Sequence, residues 1–204
     1  MTIKKDDVFI YPTDTVWGIG CSLYSETGFN RISEIKKTEK NKPLSIMFNE
    51  VYDIYEKFNF PKEITLSWLE TFFTLETTLG IPLKISKFNI PSWATGDSQY
   101  VSIRCLQAEV IKNIYQDLRT PFFTTSLNLT GFPPIISSSE ALLFQKNYAE
   151  DALYFSSQDE NDLSGSSSTI VFLEENLDFE IKREGKRVEE VKNHLKKLNP
   201  KQKS

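Results

Sequence analysis

Several short segments of the chain carry side chains suited to holding anions. The first is FIYPTDTVWGIG, residues 9 to 20. A β-rich run, Val8 to Tyr11, is stopped by Pro12, which removes a backbone donor. Thr13, Asp14 and Thr15 then place three oxygen-bearing side chains in a row, and Gly18 and Gly20 follow close behind. A strand that delivers such a turn can line a small polar pocket, with the glycines allowing close approach. The same residues also read as a plain strand-turn-strand connection, in which Thr and Asp are ordinary turn formers. Lys36, Lys37, Lys40 and Lys42 crowd one loop ending in Pro43. That density suits a triphosphate, and equally a solvated charged turn. Arg104 ends the run Tyr100-Val101-Ser102-Ile103-Arg104, and its planar fork matches a carboxylate. It would serve as well in a strand-edge ion pair. Thr125-Ser126-Leu127-Asn128-Leu129-Thr130-Gly131 offers hydroxyl, hydroxyl, amide and glycine at the end of a strand. Those donors could converge on phosphate or ribose, although a polar β-turn would account for Asn128 and Gly131. Ser167-Ser168-Thr169 and the strand-end Arg183 complete the set.

Composition narrows the chemistry. The 204 residues are 39% hydrophobic and 25% charged, with a net charge of −4, as expected of one globular domain with a substantial core. That balance argues against a surface that grips nucleic acid everywhere, while leaving room for a local basic groove. The two cysteines, Cys21 and Cys105, form no C-x-x-C pair and read as buried reduced thiols. His194 is the only histidine and falls in a Lys-rich terminal segment, where it is expected to face solvent. A zinc site or a His-based triad is therefore not expected. The start, MTIKKDDVF, has no apolar run resembling a signal peptide, and no stretch is long enough to span a bilayer. The expected location is the cytoplasm.

The positioning elements follow from periodicity. Helices are expected over 27–37, 49–58, 61–73 (with Pro61 in its first turn), 108–118, 138–148 and 186–198. Strands are expected over 8–11, 44–48, 77–84, 100–104, 121–126, 152–156, 168–173 and 179–183. Residues 87–98 read as a polar loop. Interleaved strands and helices argue for an α/β domain with a mixed, twisted sheet.

These segments, in this order, resemble the YrdC-type threonylcarbamoyl-AMP synthases. YPTDTVWGIG is similar to the family's YPT[DE]TVYGLG, with Trp17 for Tyr. Ile35 to Leu44 resembles IKxR…KPL, with Thr38 where the family has Arg. Ser102-Ile103-Arg104 resembles [SA]-[VI]-R, and TSLNLTG resembles TSAN[LI]SG, followed by Pro133-Pro134. SSTIV resembles PSTIVD, and IKREG resembles ILRPG. The family's W-P-G-P-x-T segment survives only as Phe73 and Thr78. The match covers roughly residues 8–185 and points to the short, single-domain branch. Domain boundaries are expected at 1–185 for the synthase-like unit and 186–204 for a terminal amphipathic helix and tail.

The resemblance implies a YrdC-like α/β fold: a twisted sheet of parallel and antiparallel strands, with flanking helices around a concave groove. It implies that L-threonine, bicarbonate and ATP, with Mg²⁺, become threonylcarbamoyl-AMP and pyrophosphate. A tRNA threonylcarbamoyl-transferase complex would be the downstream partner, with a transient tRNA contact. ATP contacts are implied at Lys36, Lys42, Tyr100, Ser126, Asn128 and Arg183, and threonine contacts at Thr13, Thr15, Arg104 and Ser168. No residue is implied as a nucleophile. Two alternatives stay open: a YrdC-like RNA-binding module without synthase activity, and a carbamoyl-adenylate-forming domain of the hydrogenase-maturation type.

Overall fold

The computed structural model describes residues 2–39, 43–156, 163–174 and 177–198. Among them the strands are β1 (Val8–Tyr11), β2 (Gly18–Ser22), β3 (Ser45–Phe48), β4 (Thr77–Pro82), β5 (Tyr100–Cys105), β6 (Phe122–Ser126), β7 (Leu153–Tyr154), β8 (Thr169–Leu173) and β9 (Phe179–Arg183). The helices are α1 (Glu26–Lys36), α2 (Val51–Lys57), α3 (Leu66–Phe73), α4 (Ser92–Thr95), α5 (Glu109–Leu118), α6 (Ser138–Tyr148) and α7 (Val188–Leu195). The strands form one mixed sheet in the order β7-β1-β2-β6-β3-β5-β4-β8-β9. The β1/β7, β3/β5 and β4/β8 pairs run parallel and the other neighbours antiparallel.

Alternation along each strand divides the side chains between two faces. One face carries Val8, Ile10, Ile19, Ile46, Phe48, Leu79, Val101, Ile103 and Val171, packed in a single buried cluster with apolar residues of α1, α2, α3 and α7. The other face is covered only in part. Val110, Ile111 and Ile114 of α5 pack there on Phe9, Tyr11, Met47 and Phe122. Farther across the same face the strand positions turn small or polar: Gly18, Thr124, Ser45, Ser102, Thr78. These are the walls of an open groove.

Side-chain caps mark the starts of α1, α3 and α6. Ser25 caps α1 by accepting from the Gly28 amide at 2.8 Å, and Ser137 caps α6 from Glu140 at 3.3 Å. The third helix departs from the sequence reading. Thr65 accepts from the Trp68 amide at 3.2 Å, so α3 begins at Leu66 and Pro61 stays in the preceding turn. A 3-10 turn, Leu83–Ile85, ends the run expected as a strand through Lys84, and α4 interrupts the expected polar loop.

His194 is a second correction, since it is buried. Its ring stacks on Trp68 with centroids 4.7 Å apart, and its Nε2 lies 3.0 Å from the Trp68 carbonyl oxygen. α7 lays Val191 and Leu195 on the core, and the same face carries His194 inward. Burial lowers its pKa, with the Trp68 hydrogen bond acting in the opposite direction. Cys21 and Cys105 are both buried and unbridged, as read from the sequence. No helix among the described residues is long and apolar enough to cross a membrane.

Candidate functional site

The groove holds a cavity of about 320 Å³, at the small end of ligand pockets. It collects the sequence motifs from six places in the chain: Thr13, Lys36, Arg104, Ser126 with Asn128, Ser168 and Arg183 all line it. Thr38 lines it as well, at the position where the family motif has Arg. Lys42, expected at the phosphate end, lies outside the described residues.

Two of the expected contacts are not part of the wall. Tyr100 shares the pleat of Ser102 and Arg104 but sits farther along β5. Its ring centroid is 4.9 Å from that of Phe172, and its hydroxyl donates to Glu174 at 2.8 Å. Thr15 lies beneath the cavity with no exposed surface, where its hydroxyl accepts from Arg104 Nη2 at 2.8 Å.

The walls are cross-linked from within. Thr13 fastens its own turn: its hydroxyl donates to the Val16 carbonyl at 2.6 Å and accepts from the Thr15 and Val16 amides at 3.1 and 3.2 Å. Arg104, 8% exposed, pairs through the same Nη2 with Asp14. A buried guanidinium needs such partners, because desolvating an unpaired charge is costly. Asp14 is the residue that the motif reading passed over. Its placement between two threonines was visible in sequence, but its partner is 90 residues away.

Lys36 is the second cation, 7% exposed. Its ammonium donates to the Ser126 carbonyl at 2.5 Å, the Asn128 carbonyl at 2.9 Å and Asn128 Oδ1 at 2.8 Å. An ammonium has three N–H donors, and these three acceptors match them. The Ser126 hydroxyl donates to the same Oδ1 at 2.7 Å, while Asn128 Nδ2 donates to the carbonyls of Leu129 and Phe132 at 2.9 and 2.8 Å. Gly131, at φ +86°, closes the turn in a conformation that suits glycine. The 126–132 turn is thus built around the lysine.

Arg183 is the third cation. Its Nε donates to the Ser168 carbonyl at 3.0 Å and its Nη2 to the Ser168 hydroxyl at 3.1 Å. Partial burial, and then the nearby Arg104 charge, lower its pKa. Thr78 extends this chain, with its hydroxyl 2.8 Å from that of Ser168. Thr78 is the surviving end of the eroded mid-chain motif, and it stands on the cavity wall.

A mixed sheet with one open face, a compact cavity there and three cations held by preformed turns together define an anion-binding α/β domain. The chain belongs to the Sua5_yciO_yrdC family, whose model, described as "Telomere recombination", matches residues 1–185. The threonylcarbamoyl-AMP synthase of Pseudoalteromonas atlantica is 31% identical over 147 residues, covering 69% of this chain and 74% of that protein. The enzyme of the same name from Acinetobacter baylyi is 24% identical over 176 residues, covering 83% and 92%. The structure of P. abyssi Sua5 complexed with L-threonine superposes with a TM-score of 0.71 at 22% identity, over 91% of this chain and 54% of that one. E. coli YciO gives 0.71 at 17% identity, over 90% and 85%. The chain therefore spans about half the length of the Sua5 protein whose fold it shares.

Proposed function

We propose that this protein joins L-threonine, bicarbonate and ATP into threonylcarbamoyl-AMP, releasing pyrophosphate, for transfer to tRNA by a downstream threonylcarbamoyl-transferase complex. The observation that carries the reading is the gathering of Arg104, Arg183 and Lys36 on one cavity with the Thr13 and Ser126–Asn128 turns. The similarity to proteins named threonylcarbamoyl-AMP synthase supports it.

The threonine amine attacks bicarbonate, giving a carbamate and water. A carbamate oxygen then forms a bond to the α-phosphorus of ATP, and the bond from that phosphorus to the pyrophosphate oxygen breaks. No protein nucleophile is required. The work of the chain is positioning and charge stabilisation on preformed donors. Arg104 receives the threonine carboxylate on the donors left open by Asp14 and Thr15. Arg183, anchored on Ser168, and the lysine-braced turn at 126–128 receive the nucleotide phosphates.

Among the described residues no three His, Cys, Asp or Glu side chains gather as a metal site. The cavity's donors are cations, hydroxyls and an amide, which do not fit a resident ion. Mg²⁺ accordingly belongs to the substrate as Mg·ATP.

The test is pyrophosphate release with threonine, bicarbonate or ATP left out in turn. Release should stop in all three cases. Undiminished turnover with carbamoyl phosphate in place of threonine and bicarbonate would reject the reading.

A further inference from the structure

We infer that Asp14 is a positioning residue for Arg104, fixing which donors of that guanidinium meet the amino-acid substrate; this rests on the threonine-dependent reaction proposed above. A guanidinium carries five N–H groups. Nη2 donates both of its hydrogens, one to the Asp14 carboxylate and one to the Thr15 hydroxyl. Every two-pronged edge of the group includes Nη2, either with Nε or with Nη1. Held in this way, Arg104 presents the Nε hydrogen and the two Nη1 hydrogens, which have no other partner among the described residues.

Asp14 itself sits on a braced segment. Its carbonyl accepts from the Ser164 amide at 2.9 Å, and the Thr15 carbonyl accepts from the Gly165 amide at 2.9 Å. Gly165, at φ +77°, lets the Ser-rich loop turn against the 13–16 segment. The Thr13 hydroxyl ties the same segment from the other side. A carboxylate carried on so fixed a backbone orients its partner. It does not act as a loose placeholder that a ligand carboxylate pushes aside. No acidic side chain lines the cavity among the described residues, and Asp14 is the one carboxylate among them that pairs with Arg104, so the orientation of Arg104 depends on it.

The experiment uses the full chain and reads steady-state pyrophosphate release, with threonine binding by calorimetry. Asp14→Asn removes the charge at constant size. It should raise the threonine KM and Kd by about tenfold, as loss of a binding orientation does, with the ATP KM and kcat within about twofold. On an Arg104→Lys background the same change should have no further effect on threonine, because Asp14 acts through Arg104. Asp14→Ser repeats the measurement with a smaller uncharged side chain should the Asn variant fail to fold. An unchanged threonine KM overturns the inference, and so does an effect that persists without Arg104. Tighter threonine binding overturns it too, since that is the signature of a displaced placeholder. Wild-type turnover that ignores threonine would instead reject the proposed reaction, and the inference with it.

Discussion

Arg104 and Arg183 stand on the same cavity but are anchored differently. Arg183 grips Ser168 with its Nε–Nη2 side, using neutral acceptors, a carbonyl and a hydroxyl. Among the described residues its end-on Nη1–Nη2 edge is left available, and no carboxylate pairs with it. Arg104 is anchored by a carboxylate, so its charge is balanced and its forks are interrupted at Nη2. Lys36 is likewise held by neutral acceptors, two carbonyls and an amide oxygen. Among the described residues the cavity therefore has an unbalanced guanidinium at Arg183 and a near-neutral pair at Arg104 and Asp14. A polyanion such as triphosphate suits the first arrangement, and a zwitterionic amino acid suits the second. Anchoring chemistry can assign two ends of one pocket where residue type alone, three cations, does not.

The sharpest way to break this comparison is to remove Lys36. Lys36→Met keeps the aliphatic stem and deletes the ammonium with its three hydrogen bonds. Hydrogen bonds to charged groups contribute about 1.5–3 kcal/mol each, and the loss also loosens the turn carrying Ser126 and Asn128. Binding of a non-hydrolysable ATP analogue, measured by titration calorimetry, should weaken by about 2–3 kcal/mol. Threonine affinity should change little. An equal loss for both ligands would dissolve the distinction between the two ends.

Arg104→Lys probes the other end. A lysine can still reach a carboxylate as a point charge, but it lacks the fixed planar array. The threonine KM should rise by about tenfold, with ATP binding within about twofold. The expected loss is kept to this size because Nη2 is already engaged, so the substrate never had an unshared fork to lose. A fall of about a thousandfold would mean that Asp14 releases Arg104 on binding.

Thr38→Arg is a gain at the nucleotide end. Thr38 lines the cavity near Lys36, where the family motif has Arg. A new guanidinium there should tighten binding of the ATP analogue by about 1 kcal/mol, the scale of a partly exposed charged contact. No change would place the phosphates away from the α1 end of the groove.

How much of this was legible in the sequence follows from the range of each interaction. α6 and β9 were read to the residue, since Ser137 supplies a local cap and Phe179 to Arg183 a local strand pattern. Arg104, Asn128 and Ser168 stand out in the sequence because short motifs carry them, and the structure brings all three to one cavity. What the sequence hid was long-range. Nothing local tells that Asp14 meets Arg104, that Tyr100 turns toward Glu174, or that Lys36 reaches across to the 126–128 turn. His194 was misread for the same reason. A Lys-rich neighbourhood suggested exposure, while the helical face that it shares with Val191 and Leu195 is set by packing against Trp68. The start of α3 was misplaced because two cues competed. A proline suited to a first turn lay upstream of a threonine cap, and the cap set the boundary.

The smallest expected effect is a difference in salt response, and it bears on the comparison without any mutation. Screening acts on net charge, and the Debye length shrinks from about 10 Å at 0.1 M to about 3 Å at 1 M. At the Arg183 end no carboxylate among the described residues balances the guanidinium, and the ligand is a polyanion. Their attraction extends beyond contact and should decline with added salt. At the Arg104 and Asp14 end a balanced pair meets a zwitterion, so little long-range field remains to be screened. Raising NaCl from about 50 to about 500 mM should therefore weaken the ATP analogue several-fold, while the threonine Kd stays within about twofold. Asp14→Asn should make threonine binding salt-sensitive, because it leaves Arg104 unbalanced. Parallel salt curves for both ligands in the wild-type protein would show that the two ends do not differ in effective charge.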